Sequence, residues 1–230
     1  MPKVQRTTDE INAVKAQILK QAVDLMNRVG YQDFSMRGLA RVIKVTPPTL
    51  YSYFHSKDEL YLCILTEGFD RLYNICRAAY QSFDDPIERI RAMVKAYLDF
   101  GLKCANFYNL MFTWHVPKYK DYLGTPLEQV AEFELVTSLR VTNLFLQAIK
   151  ECADDHTAII DEDARFYLVH FWSTLHGYIA GYNNTLLDYM HESPISIKER
   201  TLNLGLDTFV RELETRGFRK PGRMKAGIMK

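Results

Sequence analysis

The side chains best suited to chemistry in this chain of 230 residues lie together in one stretch, SMRGLARVIKVTPPTLYSYFHSKDEL, residues 35 to 60. Arg37, Lys44, His55 and Lys57 supply cationic or donor groups, and Thr46, Thr49, Tyr51, Ser52 and Tyr53 supply hydroxyls. Groups of these kinds make charge-assisted hydrogen bonds to phosphate oxygens. Bond-breaking chemistry finds no comparable support. His170 and His176 are six positions apart, which sends them to different faces of a helix, and the chain has no H-E-x-x-H, phosphate loop or dinucleotide fingerprint. No catalytic residue, metal site or cofactor is expected; contact with a polyanion is.

The surrounding residues say how these groups are positioned. Ser35 caps a short helix whose buried face is Leu39, Ala40 and Ile43. Thr46 caps a second, with Pro47 at the first helical position, where its missing N–H costs nothing. Leu50 and Phe54 are four apart and face the first short helix, which leaves Pro48, Thr49, Tyr51, Ser52, Tyr53 and His55 on other faces or at the exit. Ser56 and Glu59 form an S-x-x-E capping box for a longer helix, whose first amides and Lys57 make an anion site. Upstream, Val14, Ile18, Ala22, Leu25 and Val29 share one helical face that stops at Gly30. This is the layout of a helix-turn-helix.

From Ala40 to Leu60 the pattern A-x-x-x-x-V-T-x-x-T-L-Y-x-Y-F-x-S-K-D-E-L resembles the DNA-binding signature of TetR (tetracycline-repressor-type) transcriptional regulators. The resemblance implies that Arg37, Lys44, Thr46, Pro47, Pro48, Thr49, Tyr51, Ser52, Tyr53, His55 and Lys57 face double-stranded operator DNA. Two departures alter what it implies. Lys44 stands in the turn where the family usually has Gly, and a left-handed conformation there costs a side chain about 1 to 2 kcal/mol. Pro47 and Pro48 occupy positions where the family often places a hydrogen-bonding reader, and neither can donate to a base. Readout then rests on thymine methyl contacts, DNA shape and Arg37 as the candidate for guanine. Further on, Trp172 to Gly177 (W-S-T-L-H-G), P-I-E-R-I-R-A at 86 to 92 and Y-N-L-M-F at 108 to 112 are similar to a W-x-x-x-H-G ligand-domain subgroup of these regulators.

Charge is divided along the chain although the net formal charge is only +1. Residues 1 to 57 carry nine Lys or Arg against four Asp or Glu, residues 58 to 210 carry thirteen against twenty-two, and residues 211 to 230 carry seven against two. A basic head and an acidic body favour head-first docking on a phosphate backbone. Lys3 and Arg6 extend the head as a candidate backbone-tracking arm. No apolar run reaches the roughly 18 residues of a membrane span, and MPKVQRTTDE has no signal-peptide core, so a cytoplasmic protein without membrane contact is expected. Cys63, Cys76, Cys104 and Cys152 contain no C-x-x-C pair and read as free thiols.

Beyond residue 60 the periodicity is helical throughout, with helices expected to Asp84, from Ile87, over 106 to 114, 127 to 153, 161 to 190 and 196 to 216, and a loop at 116 to 126. The fold class is all-α: an N-terminal three-helix helix-turn-helix head, residues 1 to 57, joined to a larger ligand-binding and dimerisation body, 58 to 216, with a flexible basic tail, 217 to 230. An aromatic-rich set that includes Tyr97, Met111, Phe112, Trp114 and His170 is the expected lining for a hydrophobic or aromatic small-molecule effector, since helices five, six and eight usually enclose the pocket in proteins of this type. Leu175, Tyr178, Ile179, Tyr182, Leu202, Leu206, Phe209 and Val210 form stripes expected to meet a second copy in a homodimer. The implied activity is repression relieved by ligand, with the sign open from sequence. A helical protein-interaction adaptor that binds no DNA is the alternative.

Overall fold

The computed structural model describes residues 7–114 and 116–220. Among these the regular elements are helical, as expected: α1 (Thr8–Asp33), α2 (Met36–Val42), α3 (Pro47–Tyr51), α4 (Lys57–Gln81), α5 (Pro86–Lys103), α6 (Ala105–Tyr108), α7 (Glu128–Glu151), α8 (Asp161–Asn183) and α9 (Lys198–Thr215). A π-helical turn, Asn109–Thr113, extends α6, and a 3-10 turn, Tyr119–Tyr122, interrupts the expected loop. The chain forms two compact units. One holds the described residues up to Leu72 with Lys103–Arg140, the other Tyr73–Leu102 with the described residues from Val141 onward. The division therefore passes through α4 and α7 instead of falling after residue 57. Among the described residues no helix is long and apolar enough to cross a membrane.

In the first unit, α1 begins at a capping box in which the Thr7 hydroxyl accepts from the Glu10 amide and the Glu10 carboxylate accepts from the Thr7 amide. Satisfying two terminal donors at once fixes the start of the helix. Near its end, Gly30 takes φ 84° and ψ 159°, a conformation open essentially to glycine alone, and redirects the chain ahead of Tyr31 and Phe34. Ile18, Ala22, Val23 and Met26 of α1 are buried, as are Phe34, Met36, Leu39, Ala40, Leu50 and Phe54.

In the second unit, Ile87, Ile90, Met93, Val94, Tyr97 and Leu98 are the buried face of α5. Gly101 meets α8 so closely that a Cβ there would lie 2.6 Å from Cδ1 of Ile179. Helix α8 ends at Asn183, short of the expected 190, because the Asn184 side chain accepts from the Leu186 amide and Thr185 turns left-handed at φ 63°. Two 3-10 turns, Leu186–Tyr189 and Pro194–Ile197, lead into α9. All four cysteines are free thiols, and burial pushes the Cys76 and Cys152 thiols up to about 12.

The start of the expected flexible tail needs correction. Phe218 O accepts from the Asp154 amide, the Lys220 amide donates to Asp154, and Arg219 donates to Cys152 O, so residues 217 to 220 are pinned. The remainder of the tail, and the arm containing Lys3 and Arg6, lie outside the described residues.

Candidate nucleic-acid interface

The short helices are built as their sequence requires. The Ser35 hydroxyl accepts from the Gly38 amide at 3.1 Å, and the Thr46 hydroxyl from the Thr49 amide at 3.4 Å. Between them lies a Schellman turn: the Val45 amide donates to Ala40 O at 3.0 Å and the Lys44 amide to Arg41 O at 3.3 Å. Lys44 sits at its left-handed position with φ 56°, the place glycine normally fills. Leu50 is fully buried and Phe54 2% exposed. These two anchors roll α3 so that Pro47, Pro48, Thr49, Tyr51 and Ser52 stand at the surface, Tyr51 41% exposed.

Several of those polar groups are already engaged. The Thr46 and Thr49 hydroxyls lie 2.8 Å apart, and the Ser52 hydroxyl donates to Thr49 O at 2.7 Å. The basic groups of α2 and the turn are different. The side chains of Arg37 and Lys44 are exposed and have no hydrogen bond or ion pair among the described residues, and neither does that of Arg41. Arg41 is absent from the set expected from sequence; its signal is the i, i+4 spacing from Arg37, which places both on one face. The exposed His55 shares Glu59 Oε2, which accepts from its amide at 2.6 Å and lies 3.0 Å from its Nδ1. The capping box is thus displaced by one residue: Ser56 Oγ accepts from the Glu59 amide as expected, but the Glu59 carboxylate reaches back to His55.

Lys57, at the first position of α4, is half-buried. Its ammonium donates to Tyr31 O at 2.5 Å and stands 4.0 Å from the centre of the Tyr31 ring. One of its three donors is spent in this way, leaving two for an external anion.

The residues expected around an effector are distributed over both units. In the first, Met111 is buried against Gly68, while Phe112 packs edge-on against Phe69 at 5.5 Å and tilted against Tyr108 at 4.9 Å; Trp114 is half-buried beyond the π turn. In the second, Tyr97 is buried edge-on against Phe145 at 6.4 Å. His170 does not belong with these, because it stands exposed on α8.

The stripe expected to meet a second copy is also corrected. Leu175, Tyr178, Ile179, Leu202, Leu206 and Phe209 are buried within their own chain, and Tyr182 and Val210 partly so. Phe209 stacks edge-on with both Tyr167 and Phe171 at 5.1 Å, and the Tyr178 hydroxyl donates to Pro194 O. Such side chains have little area left to give a partner. The apolar residues that α8 leaves exposed are Phe166 at 64%, Val169 at 60% and Trp172 at 39%. Gly177 is exposed too, with nothing within 4 Å of where its Cβ would be, whereas Gly181 is filled by Leu187.

Comparison with known proteins supports this architecture from both ends. A family model described as bacterial regulatory proteins, tetR family, matches residues 18–64, and one described as tetracyclin repressor-like, C-terminal domain, matches residues 90–194. The HTH-type transcriptional activator FasR of Mycolicibacterium smegmatis is 35% identical over 112 residues, 49% of this chain and 48% of FasR. That match spans about half the length of the curated relative. Among solved structures, a regulatory protein of the tetR family from Rhodococcus RHA1 superposes with a TM-score of 0.65 at 18% identity, covering 85% of this chain and 96% of its own. AibR, solved in complex with isovaleryl coenzyme A and operator DNA, gives 0.55 at 17% identity over 76% of this chain and 95% of its own. At such identities the structures speak for the fold alone. The two family matches, one across the helix-turn-helix and one across the helices that come after it, show that this chain belongs to the TetR family of DNA-binding transcriptional regulators.

Proposed function

We propose that the protein is a homodimeric, cytoplasmic repressor whose hold on a pseudo-palindromic operator is released by a hydrophobic or aromatic small molecule. The observation that carries the DNA half of this reading is the trio Arg37, Arg41 and Lys44, exposed and without side-chain partners among the described residues, beside an outward-facing α3. Unneutralised charge of this kind on a surface only two short helices wide suits a phosphate backbone. Lys57 and Tyr51 supply further phosphate contacts, and Arg37 reads guanine.

A dimer is needed because one small head buries too little surface to bind tightly, whereas two heads about 34 to 36 Å apart read successive major grooves. Its interface is assigned to the outward face of α8, through Phe166, Val169, Trp172 and Gly177. Met111 and Phe112, within the π turn, are assigned to the effector. AibR, solved with both isovaleryl coenzyme A and operator DNA, is a precedent in this fold for a protein that takes a small molecule as well as DNA. A coupling of about 3 kcal/mol between effector and DNA lowers operator affinity roughly 150-fold.

The test is fluorescence anisotropy of the protein against fragments from around its own gene, across a salt series. Selective binding with a steep salt dependence is expected, weakened by Tyr51→Ala. Affinity equal on every fragment and insensitive to Arg37→Ala and Lys44→Ala counts against the reading and for a protein-binding adaptor. A second reading, activation of transcription, is favoured by the name that FasR carries. A promoter–reporter strain separates the two, because deleting a repressor raises reporter output and deleting an activator lowers it.

A further inference from the structure

Tyr31 is not one of the residues assigned to DNA, yet it makes three directed contacts at the edge of that surface. Its carbonyl oxygen accepts from the Lys57 ammonium and its ring lies under the same ammonium. Its hydroxyl donates to Asp58 Oδ1 at 2.6 Å. Its ring also meets Tyr61 edge-on, with centres 4.9 Å apart and planes at 65°, and the Tyr61 hydroxyl is itself anchored on Leu110 O at 2.6 Å. The ring is therefore fixed at its rim by Asp58 and on its flank by Tyr61, and its open face holds a cation.

A lysine side chain free in solvent loses rotamer freedom when one geometry is imposed on it. Here that cost is met inside the protein before any DNA arrives. A hydrogen bond from the phenol to a carboxylate also enriches the ring in electron density, which strengthens its attraction for the ammonium. The phenol stays neutral throughout the working range, since burial first, and then Asp58, raises its pKa. The Gly30 conformation makes the arrangement possible, turning the chain so that the Tyr31 ring and carbonyl both face the first turn of α4.

We propose that Tyr31 is a positioning residue for DNA binding, a ring-and-carbonyl clamp that holds the Lys57 ammonium with two donors ready for a backbone phosphate. The proposal rests on the reading that Lys57 contacts phosphate. It predicts that Tyr31 acts on DNA only through Lys57.

The experiment uses the full chain and a fluorescently labelled mixed-sequence duplex, because phosphate contacts are independent of sequence. Affinity is measured over a salt series for the natural protein, Lys57→Ala, Tyr31→Leu, Tyr31→Phe and the Tyr31→Leu/Lys57→Ala pair. Lys57→Ala is expected to lower the slope of log affinity against log salt by about one counterion. Tyr31→Leu is expected to weaken binding on the order of threefold, Tyr31→Phe less, and the pair no more than Lys57→Ala alone. Equal losses from Tyr31→Leu with and without Lys57 overturn the clamp, as does a gain in affinity, which would mean that Tyr31 withholds the lysine. Should Tyr31→Leu fail to fold, Tyr31→Phe carries the same comparison in the presence and absence of Lys57. An unchanged slope in Lys57→Ala removes the phosphate reading itself, and the clamp with it, so the two failures are distinguishable.

Discussion

Replacing Glu134 by Gln removes a buried ionisation from the unit that carries the helix-turn-helix. Glu134 lies on α7 with 9% of its surface exposed, and its carboxylate has no hydrogen-bond partner among the described residues. Tyr61 and Tyr122 are close enough that its charge raises both their pKa values, and the Tyr122 hydroxyl is itself buried without a hydrogen-bond partner among the described residues. Burial pushes the Glu134 carboxyl up from 4.5 to about 7, and the opposing pull of Lys118 does not restore it. Because the folded-state pKa is raised, the native chain holds a proton that the unfolded chain releases. The contribution of Glu134 to stability is therefore most favourable below pH 4.5, declines through the window up to about 7 and stays low above it. The interval corresponds to about 3 kcal/mol. The advantage of Glu134→Gln over the natural protein should grow from about 1 kcal/mol or less near pH 5 to about 3 kcal/mol at pH 8. For a chain of this size that is a melting temperature higher by roughly 6 to 12 °C. Scanning calorimetry of both proteins at about pH 5, 6, 7 and 8 measures the gap, other titrations cancelling in the difference. If the gap is the same at both ends of that range, ionisation of Glu134 is not its cause.

Other perturbations probe the remaining assignments. Lys44→Gly relieves a left-handed side chain and should stabilise the fold by about 1 kcal/mol while weakening DNA binding; a lower melting temperature would show that the Lys44 side chain contributes more than its backbone costs. Gly101→Ala drives a methyl group into Ile179 and should cost about 1 to 3 kcal/mol, read as an earlier urea midpoint; a midpoint unmoved would mean that α5 and α8 can separate freely there. Val169→Glu places a charge on the outward face of α8, where the single chain tolerates it. Sedimentation should show dimer affinity lower on the order of a hundredfold or more, and an unaffected dimer would move the interface elsewhere.

The parts of the fold legible from sequence are those governed by local rules. Thr46, Pro47 and the Lys44 turn follow from capping and backbone sterics within a few residues; Leu50 faces inward because a helix of five residues has only one side to bury, and Phe54 follows it one turn on, its amide donating to Leu50 O. The α8 residues mislead for a physical reason. That helix is apolar on two sides, Tyr167, Phe171, Leu175 and Ile179 on one and Phe166, Val169 and Trp172 on another, and periodicity reports that a stripe exists without saying which stripe its own chain covers. The stripe on α9 is apolar, as its periodicity implies, but it is not external, since Leu202, Leu206 and Phe209 are consumed by the monomer core. Tyr31 and Glu134 are invisible in the sequence because their significance comes from partners 27 and 12 positions away, Asp58 and Tyr122 respectively.

The placement of hydroxyls on α3 has a consequence for how the protein selects DNA. Thr46 is occupied by capping, Thr49 by Thr46, and Ser52 donates to the helix carbonyl, while Pro47 and Pro48 have no donor. The helix that would enter the major groove thus offers methyl, ring and methylene surface more than free hydrogen bonds. Apolar contact distinguishes thymine by its methyl group but separates the other bases poorly, whereas a bidentate pair is worth about 1 to 3 kcal/mol of discrimination. On the proposed assignment of Arg37 to guanine, selectivity then falls on that residue and on the cost of deforming the operator. Tight recognition of a shape requires both heads to be held at one spacing. In the homodimer proposed above, such a regulator depends on its dimer geometry for specificity as well as for affinity, so an effector that changes the spacing of the heads disables both together.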